Sequence, residues 1–587
     1  MPYTAPLDQI ALTLRTVARL GDLAATGAFP NFDADLVEPI LEEAAKLARD
    51  VVAPVNAQGH KTGAKLGPDG VTAAPGLKNV YAAYREGGWM GLPFPEQWGG
   101  QGLPRVLSLA VMEMLQGANA SFALCPMLSL GAVEALLAHG DEAQKTTYLP
   151  KLVSGEWTGT MNLTEPQAGS DVGALKTKAI PNGDGSYAIT GQKIFITWGD
   201  HDVAENIVHL VLARLPDAPE GSRGVSLFLA PKFLVNADGS LGERNKVRCI
   251  GLEHKMGIHA SPTCVMEYDG ATGWLIGGPN KGLAAMFTMM NSARVNVGTQ
   301  GVGIAEAARQ AALAYARDRK QGAAPGVDSA APIILHPDIR RMLMNMEASV
   351  QAARSICYAC AAAADLAEHA SDPAVRAAAK LREDLLTPMA KAWSTDKAVE
   401  VSNTAVQIHG GMGFMGETDA AQYYLDARIT PIYEGTNGIQ AIDLVGRKLS
   451  MGGGGAMSAM LDDIRATARE ARNANHPHLV AIADRLDAAA AALGEATTWM
   501  AAAMKDKRET ALGGATAYAR LAGNVVGGYF LTRSAIDELK TDGPLRDRAI
   551  GLARFYAEET LSRAPGSVAG ISSAAEALTD TADLILG

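Results

Sequence analysis

The chain is short of cysteine, which excludes a protein stabilised by disulfide bonds. Its five cysteines among 587 residues are too few and too scattered for a disulfide scaffold. Cys357 and Cys360 form a formal C-x-x-C motif, but they lie in an Ala-rich helical stretch without a second pair or a nearby histidine. Small core residues explain this motif better than a metal or redox site does. We therefore expect no metal.

The chain also lacks a net positive charge and long apolar runs: its 63 acidic residues outnumber its 52 lysines and arginines. The formal net charge of −11 argues against nucleic acid or an anionic membrane surface as a partner, so any phosphate-bearing ligand must be held locally. The N-terminus lacks a basic region followed by an apolar stretch, and we find no apolar run of about 18 residues. We expect a cytoplasmic protein without a membrane span.

Residues with helical preference are abundant, while aromatic residues make up only 5% of the chain. The length allows roughly four domains at about 150 residues each. Residues 1–158 predict a helical domain, with an amphipathic helix over residues 36–52 and shorter helices over 106–116 and 131–138.

Residues 159–280 change to short β-branched and aromatic runs separated by turn residues, which predicts a compact antiparallel β domain. The predicted strands cover residues 187–190, 193–197, 207–213 and 225–229. Residues 182–185 and 190–192 have the composition of hairpin connections.

Helical spacing returns in residues 281–450. The predicted helices cover residues 283–320, 338–369, 375–408 and 439–449. A glycine-rich loop over residues 409–416 allows close approach of a ligand or another chain. The C-terminal helical extension covers residues 451–587. Its glycines at residues 452–455 indicate a flexible joint before a separate Ala-rich helical unit over residues 457–587, for which we expect a packing or assembly role.

The segment of residues 432–440, Ile-Tyr-Glu-Gly-Thr-Asn-Gly-Ile-Gln, places the carboxylate of Glu434 in a turn before a helix. If Thr436 or Asn437 caps that helix, its first N–H groups suit a phosphate or another anion. Burial beside Tyr433 and a bound apolar ligand would raise the pKa of Glu434 toward neutrality, as a general base for a weak carbon acid requires. Taken alone, the segment favours a surface carboxylate before a helix cap, because acidic residues are common there.

Two earlier segments suit a flat ligand with a polar edge. Residues 161–171 join the helical region to the β domain and offer hydroxyl and N–H donors in a loop containing proline and glycine. Phe195 and Thr197 stand two residues apart on a predicted strand, which would place an aromatic face and a hydroxyl on the same side. Turn chemistry and strand packing are the ordinary alternatives.

Together, these three segments resemble the acyl-CoA dehydrogenase family over residues 1–450. Further matches are Arg294 near the start of a long helix, the run of residues 315–319, and the run of residues 407–413. The resemblance implies a mainly α fold with a central β domain: a helical domain, a β barrel-like domain and a four-helix domain, followed here by an extra C-terminal helical domain. The full length resembles the enlarged branch of the family that includes the 3-methylmercaptopropionyl-CoA dehydrogenases, on phrases such as residues 287–294 and 437–444.

The resemblance implies an FAD cofactor, an acyl-CoA substrate and Glu434 as the catalytic base. The residues that it assigns to FAD are Met161, Leu163, Thr164, Gly169, Ser170, Phe195, Thr197, Arg319, Gln407, Gly410, Gly411 and Thr436. Those that it assigns to the substrate are Ser170, Asn291, Arg294, Tyr433 and Gly435. Part of the FAD set would serve the cofactor of a partner subunit, which implies a homodimer.

The implied reaction converts an acyl-CoA thioester to the trans-2-enoyl-CoA and passes electrons to electron-transferring flavoprotein. We expect 3-(methylsulfanyl)propanoyl-CoA as substrate, with short- to medium-chain fatty acyl-CoA as the alternative. Two other functions remain open: an acyl-CoA oxidase, and a catalytically silent acyl-CoA-binding or scaffold protein. A flavin monooxygenase would not need Glu434, so the intact residues 433–436 disfavour it.

Overall fold

The structure, a computed structural model, describes residues 3–30 and 32–587 and is mainly helical with a central β domain, as predicted. The helices are α1 Leu7–Thr16, α2 Leu20–Ala25, α3 Val37–Leu47, α4 Asn56–Thr62, α5 Leu77–Glu86, α6 Arg105–His139, α7 Glu142–Val153, α8 Gly282–Asp318, α9 Pro337–His369, α10 Pro373–His409, α11 Asp419–Ala427, α12 Asn437–Gly446, α13 Gly455–Asn473, α14 Pro477–Asp506, α15 Arg508–Leu539, α16 Arg546–Glu559 and α17 Ala564–Leu586. The strands are β1 Lys65–Gly67, β2 Gly70–Thr72, β3 Trp157–Asn162, β4 Lys178–Pro181, β5 Tyr187–Thr197, β6 Asn206–Arg214, β7 Val225–Pro231, β8 Phe233–Val235, β9 Leu241–Arg244, β10 Val247–Leu252 and β11 Thr263–Ile276.

The long helix α6 replaces the two short helices predicted over residues 106–116 and 131–138. Asn119 leaves helical geometry at φ −162° and ψ 93°, and its side-chain oxygen accepts a hydrogen bond from the Phe122 N–H at 3.1 Å. This internal cap restarts the helix, so α6 continues past Asn119 with a kink at that residue.

Helix α6 also corrects the prediction about apolar runs. Its length and composition would allow it to cross a membrane, but 89% of its most apolar 18-residue window is buried inside the protein. A helix covered on all sides by the same chain is a core helix.

The central domain is a closed sheet. Strands β11, β5, β4, β6 and β7 pair in that order and β7 returns to β11, with β10 and β3 added outside the ring. The pairing is antiparallel except that β3 runs parallel to β6, and β4 meets β6 in a parallel contact at one residue pair, so the all-antiparallel prediction is wrong for these strands. The closure agrees with the predicted barrel-like domain.

The predicted connection at residues 190–192 is also wrong, because β5 continues through it. Gly191 has φ +154°, and a Cβ there would lie 2.4 Å from the Thr177 Oγ1. The glycine therefore permits close packing inside the strand rather than a turn. The other predicted turn is present, since β4 and β5 pair as Pro181 with Tyr187 across residues 182–186.

Helices α8, α9 and α10 pack side by side, and a buried ionic cluster joins α8 and α9 to α6. The Arg354 Nη2 lies 2.7 Å from the Glu113 Oε1 and 3.5 Å from the Glu306 Oε2. Cys357 and Cys360 are buried in this region without any disulfide, which agrees with their prediction as core residues.

The C-terminal helices pack against the preceding domain through a common core. A Cβ added to Gly523 of α15 would lie 2.4 Å from the Trp393 ring on α10, and the Trp393 Nε1 donates to the Asn524 Oδ1 at 2.9 Å. The glycines predicted as a joint form consecutive turns, with positive φ at Gly452 and Gly453. The extension thus packs against the helices that carry the candidate site.

Candidate functional site

The loop that carries Glu434 has an unusual backbone. Glu434 has φ +56° and Gly435 has φ +78°; a left-handed conformation costs a residue other than glycine about 1–3 kcal/mol. The Gln440 Nε2 donates to the Glu434 carbonyl at 3.0 Å, and the Thr436 Oγ1 accepts from the Ile439 N–H at 3.2 Å. Thr436 is therefore the helix cap, and Gln440, which sequence reasoning missed, holds the strained turn.

Gly435 is required by space as well as by backbone angle. A Cβ there would lie 2.9 Å from the Gln440 Nε2, the group that holds the turn. Gly438 is exposed and a Cβ there would meet only the Thr436 Oγ1, at 3.7 Å. The two glycines of this segment therefore contribute differently to its shape.

The Glu434 carboxyl has the electrostatics of a base that works near neutral pH. Burial raises the pKa of Glu434 to about 7, and the positive charges of Arg294 and Lys391 act against this rise. Over residues 3–30 and 32–587, no group donates a hydrogen bond to this carboxylate and no acceptor receives the Glu434 N–H. Both groups are therefore available to a ligand.

Arg294 lies on α8 and faces α12. It is 5% exposed; its Nη1 lies 3.5 Å from the Asp443 Oδ2, and its guanidinium carbon is 6.0 Å from the centre of the Phe287 ring. Its Nε has no hydrogen-bond partner among the described residues. Asn291 is half-buried one turn earlier on the same helix. These positions allow Arg294 to receive a polar or anionic ligand group.

Tyr433 is fixed on the other side of the same loop. Its hydroxyl donates to the Gln300 Oε1 on α8, and the Gln300 Nε2 is buried without a partner among the described residues. The Gln440 Oε1 is also buried without a hydrogen-bond partner among the described residues. Buried amide atoms without partners are rare in native proteins and indicate a polar ligand or water at this wall.

The loop after β3 lies against β5. The Ile194 N–H donates to the Thr164 carbonyl at 2.9 Å, which places the loop beside Phe195. Met161 is buried; Leu163 and Thr164 are half-buried, whereas Gly169 and Ser170 are exposed.

Phe195 sits in a β-bulge, which changes the predicted strand geometry. Its φ is +60°, the pairing of β5 with β11 shifts between Lys193 and Ile196, and its ring is 58% exposed. Thr197 is half-buried, and its carbonyl accepts from the Thr160 Oγ1 at 2.7 Å. The bulge interrupts regular alternation just before Phe195, while Ile196, between Phe195 and Thr197, is buried. That Phe195 and Thr197 share a face stays a prediction.

A buried ion pair that sequence reasoning missed fixes this loop. The Lys193 Nζ lies 2.8 Å from the Glu165 Oε1 and donates to the Leu163 carbonyl at 3.0 Å. Glu165 also accepts from the Thr177 N–H and Oγ1, at 3.0 and 2.6 Å. The available signal was the presence of opposite charges in the two segments already singled out.

Four predicted residues lie elsewhere. Arg319, Gln407, Gly410 and Gly411 are exposed where α8 and α10 end, and the Tyr315 and His409 rings stack at 4.4 Å to hold these ends together. At about 1.5 Å per residue, Arg319 is about 37 Å along α8 from Arg294. One chain therefore presents two separate surfaces, one around Glu434 and one around Arg319.

Family profiles match nearly the whole chain. They are the N-terminal domain of acyl-CoA dehydrogenase over residues 37–156, its middle domain over 160–271 and its C-terminal domain over 280–450. A profile described as acetyl-CoA dehydrogenase C-terminal like matches residues 460–582.

Individual relatives agree with the profiles. The 3-methylmercaptopropionyl-CoA dehydrogenase of Ruegeria pomeroyi is 43% identical over 100% of this chain and 99% of its own. A butyryl-CoA dehydrogenase of Syntrophomonas wolfei is 38% identical over 80% of each chain. In structure, the acyl-CoA dehydrogenase of Bacillus anthracis complexed with FAD superposes with a TM-score of 0.75 over 92% of this chain and 89% of its own, at 23% identity.

Proposed function

Because the chain belongs to the acyl-CoA dehydrogenase family, we propose that Glu434 is the base that removes the α-proton of its acyl-CoA substrate. The protein is an oxidoreductase and a flavoprotein with FAD as cofactor. The observation that carries the proposal is the Glu434 carboxyl, half-buried, with a pKa raised to about 7 and without a hydrogen-bond donor among the described residues. A base must be ionised at working pH and still basic enough to accept a proton from carbon, and this environment meets both needs.

The residues present fit FAD. The exposed Phe195 ring beside the Thr164 loop offers a flat apolar face with polar groups at its edge, which suits the isoalloxazine ring. Ser170 and Thr197 would supply further polar contacts, and Arg319 would neutralise the diphosphate of a second copy. Bound FAD supplies the acceptor for the hydride that leaves the β carbon.

The chain's own groups handle the proton and the charge. As Glu434 takes the α-proton, negative charge develops on the thioester oxygen, and the Glu434 N–H without a partner in the described chain is free to donate to it. The left-handed turn at Glu434 and Gly435 presents the carboxylate and this N–H from neighbouring atoms. Arg294, with its Nε available, would bind the CoA side of the substrate.

The proposed substrate is 3-(methylsulfanyl)propanoyl-CoA. Its support is the relative from Ruegeria pomeroyi, which matches the chain from end to end. A short- or medium-chain fatty acyl-CoA is the second candidate, supported by the butyryl-CoA dehydrogenase that matches 80% of the chain.

Anaerobic bleaching of the FAD absorbance across a panel of acyl-CoA thioesters tests this proposal. We expect 3-(methylsulfanyl)propanoyl-CoA to give the highest rate of reduction per unit concentration, above butanoyl-, hexanoyl- and octanoyl-CoA. A higher rate with butanoyl-CoA would favour the alternative. No bleaching by any thioester would indicate a catalytically silent protein, and peroxide formation in air without an added acceptor would indicate an oxidase.

We also propose a cytoplasmic homodimer that passes electrons to electron-transferring flavoprotein. The dimer is supported by the separation of about 37 Å along α8 between Arg294 and Arg319, since the two surfaces of one chain then serve two different FAD molecules. The exposed glycines Gly410 and Gly411, where an added Cβ would meet nothing within 4 Å, leave room for a second chain and its cofactor.

Replacing Arg319 with alanine tests the second surface. We expect weaker FAD retention, by about tenfold or more, because a charge-assisted contact with the diphosphate is worth about 1.5–3 kcal/mol. The measurement is FAD released on dilution, followed by fluorescence. Arg317→Ala, at another exposed arginine on the last turn of α8, is the matched control and should retain FAD. Equal retention by both variants would contradict the assignment.

A further inference from the structure

A buried lysine beside Glu434 has no role in the reaction as proposed so far. We propose that Lys391 is a positioning residue: its ammonium group holds the Glu434 loop through Asn437 and keeps the Glu434 carboxyl in its charged, proton-accepting form. This inference rests on the proposed function of Glu434.

The first step is the contact between Lys391 and the loop. The Lys391 side chain has no exposed surface, and its Nζ donates to the Asn437 Oδ1 at 2.8 Å. Asn437 is the first residue of α12, three residues after Glu434 and directly after the Thr436 cap. Lys391 therefore reaches the start of the helix that fixes the strained turn.

Asn437 is in turn attached to α10. Its Nδ2 donates to the Ala392 carbonyl at 3.0 Å and to the Asp396 Oδ1 at 2.7 Å. Its backbone N–H donates to the Pro431 carbonyl at 3.0 Å, which closes the loop that contains Glu434. Asn437 thus joins the two ends of the catalytic loop through its backbone N–H and ties that loop, through its side chain, to the helix that carries Lys391.

The helix that carries Lys391 has little freedom to move. A Cβ added to Gly298 of α8 would lie 2.3 Å from the Ala390 carbonyl oxygen, so α8 and α10 touch through their backbones one residue before Lys391. This close contact fixes the origin of the lysine side chain relative to Arg294 on α8.

The charge balance explains how an ammonium group persists in this place. Among the described residues the Lys391 Nζ has one hydrogen-bond acceptor, a neutral amide, and burial lowers the pKa of Lys391 to about 7. The carboxylates of Glu434 and Asp396 favour the charged lysine, and Arg294 opposes it. A buried ammonium is tolerated only with such partners.

The same interaction acts on the carboxyl in return. Arg294 and Lys391 both lower the pKa of Glu434 against the effect of burial. Loss of the lysine charge must therefore raise the pKa of Glu434. The surrounding charges lie on α10 itself and on elements packed against it: Glu400 on α10 and Arg520 on α15 act on Asp396. Asp443 on α12 and Arg447, the residue directly after α12, act on Arg294.

The test is the pH profile of FAD reduction in the FAD-loaded Lys391→Met variant, measured by anaerobic stopped flow with the best substrate from the panel. The wild-type rate is expected to rise as the pH increases through about 7, where Glu434 loses its proton. We call this rise of the rate with pH the limb of the profile. In the variant we expect the limb to lie about one to three pH units higher, because a nearby opposite charge has been removed. Rates below pH 7 then fall about tenfold or more, while rates well above the new limb approach those of the wild type.

Further variants separate charge from structure. Lys391→Gln removes the charge but keeps an amide that can donate, and it should move the limb as Lys391→Met does, which provides a second reading where the methionine variant folds poorly. Lys391→Arg keeps the charge and should restore the wild-type limb.

Asn437→Ala removes the tether between the Glu434 loop and α10 and should lower the rate at every pH. Lys397→Met, at a lysine on the same helix paired with Glu400 at 2.6 Å, should change neither the limb nor the plateau.

The outcomes distinguish the two proposals. An unmoved limb in FAD-loaded Lys391→Met or Lys391→Gln, beside a wild type that is reduced normally, would overturn the role of Lys391 alone. A uniform loss of rate at every pH in both charge-removing variants would also overturn it, since that result reports structure without charge. A wild type that no acyl-CoA reduces would overturn the proposed function itself.

Discussion

Glu434→Gln is expected to bind FAD normally and to lower the rate of FAD reduction by about 10²- to 10⁴-fold, the usual contribution of a general base. Glutamine keeps the volume of the side chain and the turn, but its amide does not accept a proton from carbon. The Gln440 bond to the Glu434 carbonyl and the Thr436 cap do not involve the carboxyl group, so the loop should keep its shape.

The measurement is anaerobic stopped-flow absorbance of the FAD-loaded variant mixed with its best acyl-CoA. Glu495→Gln, an exposed glutamate on α14, is the control with the same chemical change and should react at the wild-type rate. Near-normal reduction by Glu434→Gln would remove Glu434 from the reaction. A variant that loses its FAD would instead point to a role for the carboxyl in holding the loop.

The local part of the site could be predicted from the sequence. Thr436 follows a turn-forming Glu-Gly pair and precedes residues at helical spacing, so its role as a cap depends on a few neighbouring residues. The structure has that cap. Long periodic segments such as α8 and α10 were predicted to within about two residues at each end for the same reason, because helical spacing is a local signal.

The positions of Lys391 and Glu165 could not be predicted, because their partners are distant in the sequence. Lys391 meets Asn437, 46 residues away, and Glu165 meets Lys193, 28 residues away. Opposite charges in two segments show that Glu165 and Lys193 could pair, but no periodic pattern shows that they do, and Lys391 has no such signal at all. Both depend on how helices and strands pack, as does the path of β5 through Gly191, where a local turn signal was overridden by sheet packing.

The left-handed residues connect the two halves of the site. Phe195 and Glu434 are both non-glycine residues with φ near +60°. Each turn is held by a group outside it: the Thr164 carbonyl accepts from the Ile194 N–H, and the Gln440 side chain donates to the Glu434 carbonyl. Strain of this kind persists where the surroundings determine the conformation. The groups that hold these two turns are therefore expected to matter as much as the residues they present.

Glu165→Gln tests this expectation on the FAD side. Removing one partner of a buried ion pair leaves the other charge uncompensated, and we expect the free energy of unfolding to fall by about 3–5 kcal/mol. The side chains of Glu165 and Lys193 are 3% and 0% exposed, so solvent does little to relieve the loss. Urea unfolding followed by circular dichroism measures the stability, and FAD absorbance after gel filtration measures retention of the cofactor.

The same pair has a defined pH signature. Lys193, Thr177 and Lys176 lower the pKa of Glu165 to about 2 against the effect of burial. A carboxyl whose pKa is lowered on folding contributes stability above its unfolded pKa and loses that contribution as the pH falls through the folded value. The wild type should therefore lose this stability between about pH 4.5 and pH 2, and Glu165→Gln should lack that part of its acid dependence.

Two comparisons decide whether the burial of the Glu165–Lys193 pair causes the loss of stability in Glu165→Gln. Glu267→Gln breaks a pair in the same domain, where the Arg248 Nη2 lies 2.5 Å from the Glu267 Oε2 with side chains 67% and 35% exposed. That change should lower the free energy of unfolding by no more than about 1 kcal/mol.

Adding Lys193→Met to Glu165→Gln removes the uncompensated charge and should recover part of the lost stability. FAD retention should stay low in the double variant, because the bond from Lys193 to the Leu163 carbonyl is gone as well. Equal losses of stability for Glu165→Gln and Glu267→Gln would contradict the expectation that burial makes the Glu165–Lys193 pair important for the loop that contains Thr164.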